Sequence, residues 1–190
     1  MKNLAIFASG SGSNAERIVE YFADSEHINV KLFLCNNPDA GVIQRAKRLN
    51  ISLVMFDRPM FKSGEVVQIL QENQIDFVIL AGFLWLVPKN VVEAFPNRII
   101  NIHPALLPKF GGKGMYGHFV HEAVVENKET ESGITIHFVN EHYDEGAIIF
   151  QASFPVLPKD TPRDVARKGQ ILEHQHFPEV IERAVLSNRQ

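Results

Sequence analysis

The chain has 190 residues, of which 45% are hydrophobic and 22% charged, and its formal net charge is -3 at pH 7. This composition is close to the globular average, so disorder and coiled coil are disfavoured. The acidic balance leaves no basic excess that could neutralise a nucleic-acid backbone, which argues against a dedicated nucleic-acid binder. The single cysteine, Cys35, excludes an intramolecular disulfide and a cysteine-based zinc site, and it suits a reducing compartment.

The first apolar run of the chain, Leu4–Ala8, is too short for the core of a signal peptide and far too short to cross a bilayer. Glycine and serine follow it, and then a helical pattern begins. These features predict a strand and a turn rather than a leader or an anchor. We therefore expect a cytoplasmic protein with no membrane partner.

Apolar runs and helical patterns alternate through residues 1–100. The predicted strands are Leu4–Ala8, Val30–Cys35, Ser52–Phe56, Phe77–Ala81 and Arg98–Ile102. The predicted helices are Asn14–Phe22, Ala40–Leu49, Gly64–Asn73 and Pro88–Ala94. Strands separated by single helices predict right-handed crossovers and a parallel sheet. Unbroken apolar runs such as Phe77–Leu80 are typical of strands that are covered on both faces.

The second half of the chain changes character at a glycine- and proline-rich segment, residues 104–117, which predicts a long irregular loop. The elements predicted after it are a helix over His118–Asn127, strands over Ile134–Val139 and Ala147–Pro155 joined by a turn over Asn140–Gly146, and a helix over Thr161–Leu186. Pro178 is expected to kink or split the last helix. Without repeats or linkers, the pattern predicts one α/β domain over residues 1–190, a Rossmann-like three-layer sandwich. Its mostly parallel sheet would carry antiparallel strands in the C-terminal half.

A glycine-rich turn, Gly10–Ala15, follows the first strand and opens a helix. Such a turn directs backbone N–H groups and the positive end of the helix dipole at one point, which suits an anion. Ser13 and Asn14 could instead cap the helix, so a tight turn without a ligand is an alternative. The turn also matches the dinucleotide pattern G-x-G-x-x-A, but the second strand ends in Cys35-Asn36-Asn37, with no carboxylate for a ribose. A ligand with one phosphate fits better.

Asn101 and His103 lie at the end of the fifth predicted strand, where ligands of open α/β sheets bind. Being two residues apart, they project to the same face. An amide donor beside an imidazole can hold a developing oxyanion and move a proton near neutral pH. A purely structural pair that satisfies backbone groups at the strand end is the alternative.

A second polar cluster, Asn140–Gly146, lies between two apolar strands. It is either an acidic hairpin turn or the source of a carboxylate that approaches His103 and raises its proton affinity.

Four segments of the chain resemble the folate-dependent formyltransferase family. They are Ala8–Asn14, Leu80–Phe83, Asn101–Pro108 and His137–Gly146, with Glu173-His174 as a weaker fifth. They occur in the family's order and cover nearly the whole chain. The Asn-x-His-Pro string with its distant Asp is shared with the methionyl-tRNA enzymes and formyltetrahydrofolate hydrolases. The Gly-Ser-Asn loop, and a length without room for a regulatory or RNA-binding domain, indicate the phosphoribosylglycinamide formyltransferase (GAR transformylase) branch.

The resemblance implies an enzyme of purine biosynthesis that transfers a formyl group from 10-formyltetrahydrofolate, its co-substrate, to the amine of glycinamide ribonucleotide. The products would be formylglycinamide ribonucleotide and tetrahydrofolate. Asn101 and protonated His103 would stabilise the tetrahedral oxyanion, and Asp144 would hold and charge His103 and help to relay the proton. No metal is implied, because an amine is already a competent nucleophile.

The binding residues that the resemblance implies fall into three groups, with the nucleotide-binding half at about 1–100 and the folate-binding half at about 101–190. The phosphate would lie on Gly12, Ser13 and Asn14, with Glu173 on the ribose or glycinamide side. The pterin slot would consist of Phe83, Leu84, Trp85, Leu86 and Val87 together with Asn140, Glu141, His142 and Tyr143. The folate glutamate has no unambiguous basic partner, and Lys62 and Arg58 are the candidates.

Two features depart from the family pattern. Trp85 stands where many members have a basic residue, and the segment Lys109–Gly117 is longer and richer in glycine than in many relatives. The segment is predicted to be either a mobile loop over the site or a decorative insertion. His118 and His121, three residues apart on a helix, could be metal ligands but lack an evident third partner. His137 is predicted to be structural or to line the site.

Three functional hypotheses follow. The first is the formyltransferase acting on glycinamide ribonucleotide; the second is a folate hydrolase, or a transferase with another amine acceptor; the third is a non-catalytic nucleotide-binding module. The Ser13-Asn14 pair favours the first. The sequence leaves open whether the protein is a monomer or a homodimer.

Overall fold

The computed structural model describes residues 1–187 of the chain. Within them, the strands are β1 Lys2–Ala8, β2 Ile28–Cys35, β3 Ser52–Met55, β4 Phe77–Leu80, β5 Ile99–His103, β6 Glu131–Phe138 and β7 Ile148–Pro155. They form one sheet in the order β3-β2-β1-β4-β5-β6-β7. The pairs among β1 to β5 are parallel, whereas β6 is antiparallel to both β5 and β7.

Helices cover both faces of this sheet. Their bounds are α1 Ser13–Tyr21, α2 Val42–Leu49, α3 Arg58–Ser63, α4 Glu65–Glu72, α5 Lys89–Ala94, α6 His118–Glu126 and α7 Pro162–Ser187. Buried side chains of α1, α2 and α7 share one hydrophobic core, and those of α3, α4 and α5 share a second core on the opposite face. The predicted three-layer α/β architecture, with a mostly parallel sheet and antiparallel strands in the C-terminal half, is confirmed.

The central strands explain why the sequence shows unbroken apolar runs instead of alternation. In β1, Leu4 and Ile6 enter one core while Ala5 and Phe7 enter the other, and all four are fully buried. Because successive side chains of a strand point to opposite faces, a strand covered by helices on both sides must be apolar at every position.

The predicted elements are present with shifted ends, and the structure adds α3, which the pattern did not predict. Asp57 caps this short helix by accepting a hydrogen bond from the Met60 N–H at 2.9 Å, and Pro59 lies in its first turn. Gly64, with a φ of 99°, then separates α3 from α4, so the helix predicted from Gly64 begins at Glu65.

The last helix, α7, continues through Pro178, so of the two expected outcomes, a kink or a split, the split does not occur. Proline has no N–H to bond the carbonyl four residues earlier, that of His174. In the structure the Nε of Arg17 donates to this carbonyl at 3.3 Å, which supplies a replacement partner. Within residues 1–187, no helix, α7 included, is both long and apolar enough to cross a membrane.

The topology brings three strand ends together. The crossover after β1 leads to β2 on one side, whereas the crossover after β4 leads to β5 on the other, so a crevice opens between β1 and β4 beyond the carboxyl ends of the strands. The turn after β1 is tied to the segment after β4 by the Ser9 N–H, which donates to the Gly82 carbonyl at 3.0 Å. His103 ends β5, the next strand along. The candidate site lies at this edge of the sheet.

Candidate active site

The end of β5 forms the floor of a cavity of about 240 Å³. Both Asn101 and His103 line it, as their spacing in the strand predicts. His103 is only 3% exposed, and each of its ring nitrogens faces an oxygen acceptor. Its Nε2 lies 2.7 Å from the Phe110 carbonyl, and its Nδ1 lies 3.5 Å from Oδ2 of Asp144.

The structure therefore brings a carboxylate to the imidazole from more than forty residues away. Asp144 lies in the loop between β6 and β7, and its φ of 55° is in the left-handed region. Its Oδ2 also accepts the Gly112 N–H at 3.0 Å, so the glycine-rich loop holds the carboxylate in place. The cluster over residues 140–146 is thus more than a solvated hairpin turn, because Asp144 is directed into the cavity.

A second imidazole, that of His137, completes the cluster. The antiparallel register places His137 opposite Asn101, and opposed residues project to the same face of a sheet. The Asn101 Nδ2 lies 3.1 Å from His137 Nε2, and Asp144 Oδ1 lies 3.6 Å from the same nitrogen. His137 Nδ1 lies 2.8 Å from the Phe138 carbonyl. Asp144 consequently lies between two imidazoles.

Burial and charge act in opposite directions on these groups. Burial lowers the pKa of His103 below its usual value of 6.5, although the Asp144 charge and the Phe110 carbonyl partly oppose this shift. Burial also raises the pKa of Asp144, but the neighbouring His137 and His103 and the Gly112 N–H together hold it below 3.8. In the free protein the carboxylate is charged at pH 7, and the His103 imidazole is mainly neutral.

The glycine-rich turn after β1 has the geometry of an anion loop. Gly12 precedes α1 with a φ of 78°, and no side chain caps the helix. Ser13 and Asn14, the capping candidates, are instead the first residues of the helix itself. Gly12, Ser13 and Asn14 line a smaller cavity of about 180 Å³ beside Gly82.

Side chains of α7 reach this loop. Glu173 accepts a hydrogen bond from Asn14 Nδ2 at 2.6 Å, and Gln170 donates to the Ser13 hydroxyl at 3.1 Å. Burial raises the pKa of the Glu173 carboxyl, although the Asn14 bond partly opposes the shift. The Oδ1 of Asn14 is buried without a partner, so a polar acceptor atom is left beside the loop.

The segment after β4 forms the apolar wall of the cavity of about 240 Å³ at the end of β5, which is called the main cavity below. The five predicted slot residues line it, and so do two from the loop after β6: Phe83, Leu84, Trp85, Leu86, Val87, His142 and Tyr143. Asn140, Glu141 and Lys62, which were also predicted to contact the folate, lie outside this lining. Arg58, the other basic candidate, stacks its guanidinium on the Trp85 ring at 4.3 Å.

Several residues near the site were missed by sequence reasoning. Met115, Tyr116 and His121 line the main cavity, and the length of the glycine-rich loop was the available signal for the first two. Because Phe110 and Gly112 contact the catalytic candidates, the loop is part of the site and is not merely decorative.

The two histidines of α6 have different surroundings. The His118 ring packs on Phe119 at 4.0 Å, whereas His121 faces the cavity with its Nδ1 buried and unpartnered. Burial lowers the pKa of His121. In the part of the chain that the structure describes, no group of three or more His, Cys, Asp or Glu residues has an arrangement that could hold a metal ion.

The structure is a doubly wound α/β protein with a polar His-Asp-Asn cluster at the carboxyl edge of its sheet, and comparison with known proteins identifies its family. The family model described as formyl transferase matches residues 2–181. The chain belongs to the formyl transferase family.

Curated relatives share most of the chain. A chloroplastic phosphoribosylglycinamide formyltransferase of Arabidopsis thaliana is 44% identical over 187 residues, covering 95% of this chain and 64% of the relative. The phosphoribosylglycinamide formyltransferase of Haemophilus influenzae is 34% identical over 188 residues, covering 95% of this chain and 86% of the relative. The chain thus spans a little less than two thirds of the plant protein's length.

A solved structure has the same fold as this chain. The crystal structure of phosphoribosylglycinamide formyltransferase from Bacillus halodurans superposes with a TM-score of 0.88 at 36% identity, and it covers 100% of this chain and 97% of that one.

Proposed function

We propose that the protein transfers a formyl group from 10-formyltetrahydrofolate to the amine of glycinamide ribonucleotide in purine biosynthesis. One observation carries the proposal. The lining of the main cavity includes the polar cluster at His103, the apolar slot at Phe83–Val87, and the Asn14–Glu173 pair that borders the anion loop. A single cavity therefore joins a catalytic cluster to an apolar slot and to an anion site, as a reaction between a folate and a phosphorylated amine requires.

The acceptor would bind through its phosphate and its ribose. Backbone N–H groups of Gly12, Ser13 and Asn14 would hold the phosphate at the start of α1. Glu173 would accept a hydrogen bond from the ribose or from the glycinamide, and the unpartnered Asn14 Oδ1 is available for a ligand donor. The amine would then point along the cavity toward His103.

The donor supplies the formyl carbon, and the chain's own residues would place it. The backbone of Leu84, Trp85 and Val87 would read the edge of the pterin, with Phe83 and Leu86 along the slot and His142 and Tyr143 across it. Arg58 is better placed than Lys62 for the glutamate tail, because it stacks on a residue of the slot. The phosphate and pterin subsites each draw on both halves of the chain, and we propose one functional domain over residues 1–190.

Catalysis would rest on proton transfer and oxyanion stabilisation. The attacking amine forms the new C–N bond and becomes positively charged, while the formyl oxygen becomes an oxyanion. Asn101 would donate to this oxyanion. The resemblance implied a protonated His103 beside the oxyanion, but burial lowers the pKa of this imidazole. We therefore propose that His103 is mainly neutral before attack, takes the amine proton, and then returns it to the folate nitrogen as the old C–N bond breaks. Asp144 stabilises the imidazolium in between, so that the proton lost by the amine ends on tetrahydrofolate.

In the free protein the Phe110 carbonyl, which belongs to the glycine-rich loop, is hydrogen-bonded to the Nε2 atom of His103. The loop must therefore release His103 before this imidazole can exchange a proton with the substrates. We therefore propose that residues 109–117 move when the substrates bind.

The decisive experiment combines purified protein, 10-formyl-5,8-dideazafolate and synthetic glycinamide ribonucleotide. We expect an absorbance change that depends on both substrates. Folate release without the amine would replace the transferase with the hydrolase, and transfer only to another amine would change the acceptor. If the protein binds the nucleotide without turnover, and His103→Ala binds it equally well, the remaining hypothesis is the non-catalytic nucleotide-binding module.

We also propose a cytoplasmic location and a monomer or homodimer. The one cysteine, Cys35, is buried and free, as suits a reducing compartment.

A further inference from the structure

The anion loop is supported from one side by α2. Two successive carbonyls of the loop are bound by this helix: the Gly10 carbonyl accepts the Val42 N–H at 3.1 Å, and the Ser11 carbonyl accepts the Arg45 Nε–H at 2.7 Å. The second bond comes from a guanidinium and is therefore charge-assisted, which makes it the stronger kind.

These two bonds determine where the loop's donors point. In a trans peptide the C=O and the N–H point in opposite directions, and the peptides after Gly10 and Ser11 are both trans. With both carbonyls directed at α2, the N–H groups of Ser11 and Gly12 must point away from it. The cavity of about 180 Å³ is lined by the loop and by Ala81 and Gly82 after β4, but by no residue of α2. The donors therefore point to the cavity side.

The rest of the Arg45 side chain is also engaged. Its Nη1 forms an ion pair with Glu16 of α1, and Arg48, one turn further along α2, pairs with the other oxygen of the same carboxylate. Glu16 thus anchors both guanidinium groups, but only Arg45 reaches the loop.

We propose that Arg45 is a positioning residue for the acceptor's phosphate. It touches neither the anion nor the reacting atoms. By holding the Ser11 carbonyl, it keeps the Gly12 N–H directed into the anion cavity before the phosphate arrives, so that no reorientation of the peptide is needed on binding. The inference rests on the proposed function, since it names the group that prepares the phosphate subsite.

The test compares two substitutions on the same helix. Arg45→Met and Arg48→Met each remove one guanidinium from Glu16, but only the first also removes the bond to Ser11, because methionine has no N–H donor. We expect Arg45→Met to raise the KM for glycinamide ribonucleotide about 10-fold, with kcat and the KM for the folate donor unchanged. Arg48→Met should leave all three within two-fold. Equal effects of the two variants, or a change confined to kcat, would overturn the inference.

Arg45→Lys separates position from charge. Lysine keeps the positive charge but has a methylene where the arginine Nε–H donates. A positioning role predicts that Arg45→Lys raises the KM nearly as much as Arg45→Met, whereas a role through long-range attraction predicts wild-type affinity for Arg45→Lys. Melting temperatures of the three variants, compared with the wild type, identify any that are unfolded at the assay temperature.

A binding measurement keeps the inference independent of turnover. Ribose 5-phosphate carries the phosphate monoester without the amine, and its Kd can be measured by calorimetry even if no formyl transfer occurs. If the wild type transfers no formyl group, the proposed function is refuted but the positioning role of Arg45 is not. Failure of the wild type to bind ribose 5-phosphate, or unchanged binding in Arg45→Met, would refute the positioning role.

Discussion

The anion loop and the catalytic cluster lie beside each other but are built in opposite ways. The loop, Gly10–Asn14, is one contiguous segment whose proposed donors are mainly backbone N–H groups, held by a neighbouring helix. The cluster is made of side chains that come from β5, from β6 and from the loop after β6. Backbone donors have a fixed charge and orientation, whereas the imidazoles and the carboxylate titrate and depend on each other.

This difference predicts that damage to the two regions has different consequences. A change in the loop should alter affinity for the nucleotide and the stability of the fold. A change in the cluster should alter turnover and its pH dependence, with little effect on nucleotide binding. Four substitutions test the distinction.

The largest effect is expected for His103→Ala. Without the group that receives and returns the proton, kcat should fall by about 10³-fold or more, while the Kd for glycinamide ribonucleotide stays within a few-fold. His118→Ala is the matched control, since its ring packs on Phe119 outside the main cavity and its loss should leave the rate within two-fold. Full activity in the His103 variant would remove the proposed acid–base role.

Asp144→Asn should lower kcat by about 10²-fold and shift the pH profile. The Asp144 charge opposes the lowering of the His103 pKa by burial, so its removal lets that pKa fall further. The neutral imidazole is the form that accepts the amine proton, so the acid limb of kcat/KM should move to lower pH. A limb that moves to higher pH, or does not move, would contradict the coupling of these two groups.

Gly12→Ala tests the backbone of the loop. A Cβ at this position would lie 2.7 Å from the Cβ of Val42, and alanine disfavours the φ of 78°. We expect a loss of about 2 kcal/mol, a fall in Tm of roughly 4–8 °C, and about 10-fold weaker nucleotide binding at unchanged kcat. Gly10→Ala is the control for stability, since a Cβ there meets no atom within 4 Å. Equal Tm values for both variants would argue against this geometry.

The smallest effect is expected at Glu173, which binds Asn14 of the anion loop and also lines the cavity that contains His103. In Glu173→Gln, the buried carboxyl is replaced by an amide, whose donor can also reach for the unpartnered Asn14 Oδ1. Burial raises the pKa of Glu173 above 4.5, so the unfolded chain releases this proton first and the folded state loses stability as pH rises through the native pKa. The variant should therefore melt roughly 2–4 °C higher at pH 7, with no gain below pH 4.5, and bind the nucleotide more weakly. A lower Tm at pH 7 would show that the ionised carboxylate stabilises the fold.

The sequence predicted the sheet well, because its signals are local. Runs such as Leu4–Ala8 and Phe77–Leu80 are apolar at every position, and burial on both faces requires that pattern. It missed α3, whose signal is a single Asp57 cap with Pro59 in the first turn. It left open whether Pro178 kinks or splits α7, and the split does not occur. The sequence could not show this, because the donor to the His174 carbonyl, Arg17, lies 157 residues earlier in the chain.

The sequence by itself determined the fold class, the contiguous anion loop and the pairing of Asn101 with His103, since each depends on residues a few positions apart. Only the tertiary structure decided that Asp144 lies between two imidazoles. That arrangement depends on the β5–β6 register, which sets His137 opposite Asn101, and on the glycine-rich loop, which holds the carboxylate through Gly112. Register and loop closure arise from packing among distant elements, and spacing along the chain does not encode them locally.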